Sequence, residues 1–119
     1  MKKKFIRQAD ARCEVLSQRL DALEPLARED QAAAATEALP DFEAMLAYLH
    51  GLPPPPGDIE LPAILVGYDE LLADLRGVVA AKAIDDQVVI QQKFDSLEAR
   101  AKRLRRVTFA YGFKVCGQL

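Results

Sequence analysis

Apolar positions recur along this chain in alternating steps of three and four, and they do so four times. The first stripe is Ile6, Ala9, Cys13, Leu16, Leu20 and Leu23. The second is Ala32, Ala35, Leu39, Phe42, Leu46 and Leu49. The third is Leu65, Tyr68, Leu72, Leu75 and Val79, and the fourth is Ile90, Phe94, Leu97, Ala101, Leu104, Thr108 and Tyr111. In an α-helix such steps place each set on one face. Four helices with one apolar stripe each must bury those stripes against one another. The expected fold is therefore all-α, an antiparallel up-down-up-down four-helix bundle.

The polar and special residues set the boundaries. Pro25 is expected to end the first helix, and Gly51 with the Pro53–Gly57 run to end the second. Asp85 and Asp86 supply N-capping carboxylates to the fourth, and Gly112 follows Tyr111 as a helix-terminating glycine. The predicted helices lie near 4–24, 27–50, 60–83 and 86–111. Pro40 falls inside the second and should kink or split it, because it removes a hydrogen bond. Gly67 and Gly77 weaken the third, each by about 1 kcal/mol relative to alanine. Between helices two and three, residues 52–59 hold four consecutive prolines, a stiff spacer. The 119 residues make one domain, 1–119.

Composition narrows the function classes. The core must be aliphatic, since tryptophan is absent. A net charge of −2 argues against a nucleic-acid binder. No apolar run approaches the ~20 residues that a membrane span requires. The start, Met-Lys-Lys-Lys-Phe-Ile-Arg, is basic, but no apolar stretch follows it as in a signal peptide. On that basis the chain is either cytosolic or a mature form whose leader has been removed.

The only two cysteines are Cys13 and Cys116. Up-down-up-down order brings the start of helix one and the end of helix four to the same end of the bundle. One disulfide between them would staple the two ends together and indicate an oxidising compartment. The alternative at this point is a pair of buried free thiols in a cytosolic chain.

The opening Phe-Ile-Arg-Gln-Ala-Asp-Ala-Arg-Cys and the close Tyr-Gly-Phe-Lys-Val-Cys-Gly carry a family resemblance. They resemble the "F-I-x-x-A-D-A-x-C" start and "Y-G-[LF]-x-x-C-G" end of small secreted helical proteins and lipoproteins of actinobacteria. The acidic Ala/Leu-rich middle and the Pro-rich break after helix two are similar as well. The resemblance implies an extracytoplasmic bundle with Cys13 paired to Cys116, and no enzymatic activity. This chain lacks a lipobox cysteine, so the resemblance does not carry lipidation over.

Searches for chemistry end mostly in absences. His50 is the only histidine, which leaves too few ligands for a di-iron or zinc site and no serine triad around Ser17 or Ser96. It is expected to interact with the C-terminal carbonyls of helix two, as a cation does there. No metal and no cofactor is expected. The pairs Asp69-Glu70 and Asp85-Asp86 read as solvated or capping carboxylates. Tyr48, Tyr68 and Phe109 are core aromatics or, less economically, the lining of a pocket.

One constellation is left. Basic residues gather at the end where the chain starts and finishes, among them Arg7 and Arg12 on helix one and Arg103 and Arg106 on helix four. Helix-dipole bias explains those on helix four but not those at the start of helix one. An anionic membrane surface would be attracted to them. The leading expectation is a non-enzymatic extracytoplasmic interaction domain, monomeric, tethered to the cell membrane and holding a protein partner. The alternatives are a bundle binding a small apolar ligand and a cytosolic helical subunit of a larger assembly.

Overall fold

A computed structural model describes residues 1–118. They form four long helices and a terminal single turn: α1 (Lys2–Glu29), α2 (Gln31–Gly51), α3 (Glu60–Ala83), α4 (Gln87–Tyr111) and a 3₁₀ turn over Cys116–Gln118. No strand occurs among the described residues. The helices pack in chain order, α1 on α2, α2 on α3 and α3 on α4, as an antiparallel bundle 45 Å long. The ring does not close by direct packing: α1 and α4 hardly touch, and the C-terminal segment lies against both.

The predicted stripes form the core. Ala9, Cys13, Leu16, Phe42, Leu46, Leu49, Tyr68, Leu72, Leu75, Ile90, Leu104 and Tyr111 are all buried. Met45, Ile64 and Val78 join them from one position to the side, and Leu61 extends the third stripe by one turn. Leu20 departs from its stripe: it is 36% exposed.

Pro25 does not end α1, which runs on to Glu29. The break falls at Asp30, whose backbone is extended (φ −151°, ψ 95°). Its carboxylate accepts from the Ala33 N–H at 3.0 Å, and its own N–H donates to the Leu26 carbonyl at 2.8 Å. One residue thus caps both helices. A proline forfeits one hydrogen bond, but Asp30 satisfies helix-end donors and acceptors together, so the capping residue decides the boundary. Lys82 reaches back from α3 to donate to Asp30 at 2.7 Å, and that contact holds the Asp30 carboxyl below the usual carboxylate range. Helix α2 likewise runs unbroken through Pro40, which is exposed. At the α3–α4 turn Asp85 adopts φ 54°, a left-handed conformation that Asp tolerates, and Asp86 caps α4 by accepting from the Val89 N–H at 3.1 Å.

The proline spacer ends in a third aspartate cap. Asp58 Oδ1 accepts from the N–H groups of Glu60 (3.0 Å) and Leu61 (3.1 Å) at the start of α3. Its other oxygen accepts from the Tyr111 hydroxyl at the end of α4. The Tyr111 bond and the two N–H groups hold the Asp58 carboxyl low, while burial and Asp58 push the Tyr111 phenol up. Lys2 Nζ stands 4.1 Å over the same ring, so α1, α3 and α4 meet at one point.

Candidate functional site

The seam between α1 and α4 has two halves of different character. In the half nearest the chain ends, the C-terminal segment fills it. Gly112 (φ 123°) reverses the chain after Tyr111, a conformation other residues rarely adopt. Phe113 then turns inward, edge-on to Phe5 at 6.3 Å and stacked on Tyr111 at 5.2 Å. Asp10, half-buried on α1, receives the segment: its carboxylate accepts from the N–H groups of Lys114, Val115 and Cys116, each at 3.0 Å. Those donors open the 3₁₀ turn, and a carboxylate there is both cap and counter-charge. The Tyr68 hydroxyl donates to the Cys116 carbonyl at 3.0 Å from α3, and burial pushes that phenol up to about 12.

Cys13 and Cys116 are bonded within this clasp, with Cα atoms 5.3 Å apart across a sequence separation of 103. The disulfide pairing is as expected. The two ends of the chain thus share a physical role: Phe5, Asp10 and Cys13 on α1 receive Phe113 and Cys116, and Gly117 packs against α4. Gly117 belongs there because a Cβ at that position would meet the Phe109 backbone at 3.2 Å.

In the other half of the seam nothing fills the space. A trough of about 360 Å³ runs between α1 and α4. Leu20, Leu23 and Ala27 form one wall, with Phe94, Leu97 and Ala101 facing them. The floor is small on the α2 side (Ala34, Ala35 and Ala38) and larger at Phe42, Leu71 and Leu75. Each wall covers two helical turns, about 10 Å. The trough begins where the clasp stops: Leu71 and Ala101 line it and also a small void beside Cys116. Asp21, Glu24 and Gln31 stand at its edge. Asp95 and Glu98, each one residue beyond Phe94 and Leu97, are exposed on α4.

The residues singled out from sequence fall in several places. Tyr48 and Phe109 line no internal pocket and are not core: they are 41% and 63% exposed, and only Tyr68 is buried. Tyr48 lies on the outside of α2 with the Arg12 guanidinium 5.9 Å from its ring. Both fall between the stripe positions of their helices, Tyr48 between Leu46 and Leu49 and Phe109 between Thr108 and Tyr111, so each turns away from the buried face. His50 sits in the last turn of α2, yet its Nε2 lies 2.8 Å from the Asp69 carboxylate on α3. Asp69 and Glu70 are therefore both engaged, Glu70 by Arg100. Arg100 also donates to Asp74 at 2.9 Å, a carboxylate that is buried and further satisfied by the Ser96 hydroxyl at 3.2 Å. Those contacts hold the Arg100 guanidinium even more firmly charged.

The basic residues singled out from sequence lie on α1 and α4. Arg7 is exposed near the start of α1, and Arg12 lies toward α2. Arg103 lies toward α3, beside Ala63, Gly67 and Glu70, and Arg106 is exposed. Among the described residues no group of three or more His, Cys, Asp or Glu side chains is placed to hold a metal ion. No helix is long and apolar enough to cross a membrane. No family model, no curated protein and no solved structure matches the chain.

Sequence reading missed the trough. All of its wall residues but Ala27 belong to a predicted apolar stripe, and a stripe reads the same whether another helix covers it or not. The run Ala32–Ala35 with Ala38 was the available signal: five small side chains along one helix leave volume that neighbours must fill.

Proposed function

We propose that this protein is a non-enzymatic, extracytoplasmic binding domain that holds its partner in the α1–α4 trough. One observation carries the reading. Half of the seam is sealed by the chain's own C-terminus, and the other half exposes an apolar, alanine-floored trough at the far end from the disulfide. Exposed apolar concavities of this kind mark binding sites more often than chance. The disulfide supports the compartment, because such bonds persist outside reducing cytosol. In this reading the clasp end, with its Lys and Arg, faces the membrane to which the domain is tethered, and the trough faces away from it.

The test is direct. An environment-sensitive apolar dye should bind the folded protein at one equivalent and be excluded by Ala27→Trp, which places an indole between the walls. Dye binding that ignores Ala27→Trp would move the site elsewhere. Trapping thiols in intact cells with an alkylating agent should leave Cys13 and Cys116 unmodified, and their full alkylation would remove the extracytoplasmic part. A second reading, a small apolar ligand in place of a macromolecular partner, is favoured by the volume alone, which lies within the ~300–1,000 Å³ of typical ligand pockets.

A further inference from the structure

Resting on that reading, we infer that the trough takes a polypeptide, specifically a short amphipathic helix with a basic polar face. Three observations converge on this occupant. The same seam already accepts polypeptide: Phe113 to Cys116 fill its other half, so α1 and α4 stand far enough apart to admit a chain between them. The walls are two helical stripes, Leu20, Leu23 and Ala27 against Phe94, Leu97 and Ala101, each repeating at three or four residues over two turns. Such stripes complement a helix anchored at i, i+3, i+4 and i+7. The alanine floor lets a helix backbone approach closely, where large side chains would hold it off.

Charge selects the polar face. Asp21 and Glu24 edge the trough on α1, and Asp95 and Glu98 follow the wall residues on α4. Among the described residues the only cation paired with any of them is Arg28, which donates to Glu24 at 2.6 Å. Asp95 accepts from Gln91, a neutral donor, at 2.9 Å. An incoming helix with Lys or Arg beside its apolar face would meet Asp21 and Glu24 along the α1 edge. An acidic helix would be repelled. Two copies of this chain placed trough to trough would bring the same carboxylates together, which disfavours self-association through this face.

The probe is a pair of 14-residue amphipathic peptides, identical in their leucine anchors, one with lysine and one with glutamate at every polar position. Binding to the intact disulfide-bonded protein is read by fluorescence anisotropy. The lysine peptide should bind, with affinity falling as ionic strength rises, and the glutamate peptide should bind about tenfold more weakly or less. The double variant Asp21→Lys with Glu24→Lys, both on exposed positions, should invert that order without altering the melt. Ala27→Trp should block the lysine peptide; Leu97→Trp is the check on the opposite wall should Ala27→Trp fold poorly. Equal affinity for the two peptides would overturn the inference. So would lysine-peptide binding that survives both tryptophans. If the apolar dye fills the trough while neither peptide does, the polypeptide inference fails and the binding-domain reading stands with a small ligand. If neither dye nor peptide binds, both fail. Trough-dependent dimerisation, abolished by Ala27→Trp, would give the site to a second copy and overturn the inference as well.

Discussion

The two halves of the α1–α4 seam are built on the same helices yet solve the same problem differently. Near the chain ends, Phe113 supplies the apolar filling, Asp10 satisfies three backbone donors, and a disulfide locks the result. At the far end the walls carry equally apolar residues but no filling. A half-filled seam teaches that the missing fourth contact of this bundle is not a packing failure of the stripes. Where a filler is present it is anchored by polar chemistry; where none is present, no such anchor exists in the walls.

The contrast can be broken most forcefully at the disulfide. Cys13→Ser, or reduction of the wild type, should remove up to about 4–5 kcal/mol on the chain-entropy account for a closed loop of this length. The thermal midpoint should fall while the helical circular-dichroism signal at room temperature persists, and dye binding to the trough should not change. A concurrent loss of dye binding would mean the two halves are one cooperative unit.

Phe113→Ala comes next. The side chain is fully enclosed between Phe5 and Tyr111, so its truncation should cost about 3–5 kcal/mol by denaturant titration. Leu97→Ala in the trough wall is half-exposed and should cost only about 1 kcal/mol. Similar costs for the two would erase the distinction between a filled and an open half.

Alkaline pH probes the clasp from α3. Tyr68 is buried and its phenol is raised to about 12, against about 10 when unfolded. The folded state then keeps a proton that the unfolded state loses, so the associated stability is complete below pH ~10 and disappears as pH rises toward ~12. The loss from this group should be of order 2–3 kcal/mol, and Tyr68→Phe should remove that share of the alkaline decline while leaving the share owed to Tyr111, whose phenol is also raised. A profile identical in Tyr68→Phe would assign the alkaline loss to other groups.

Within the clasp the smallest effect expected is that of Asp10→Ala, about 1–3 kcal/mol, since the three N–H groups it caps can partly turn to water. Hydrogen exchange at Lys114, Val115 and Cys116 should rise well before global unfolding. Unchanged protection there would show that the disulfide alone holds the segment.

Much of the bundle was legible in order along the chain. Steps of three and four placed four helices, Gly112 marked the end of the last, and helix order brought Cys13 and Cys116 to one end, where a disulfide or two free thiols could stand; the structure has the disulfide. Local chemistry misled where two signals competed. Pro25 looked like a break, but a proline costs one hydrogen bond, whereas Asp30 caps two helix ends at once and is aided by Lys82 from across the bundle. That aid is a tertiary contact between residues 52 apart, invisible to any local window.

What the sequence determined by itself, then, is the set of helices, their single apolar faces and their antiparallel order, because periodicity and capping act over a few residues. What only the tertiary structure decided is which parts of those faces are covered. Cys13 and Leu20 are seven residues apart in one stripe, yet Cys13 is sealed by its bond to Cys116 and Leu20 sits at the rim of an open trough. The difference is made by a segment almost a hundred residues away, which returns to fill one half of the seam and ends before the other. Burial depends on what arrives from elsewhere in the chain, and no residue's own neighbours record that.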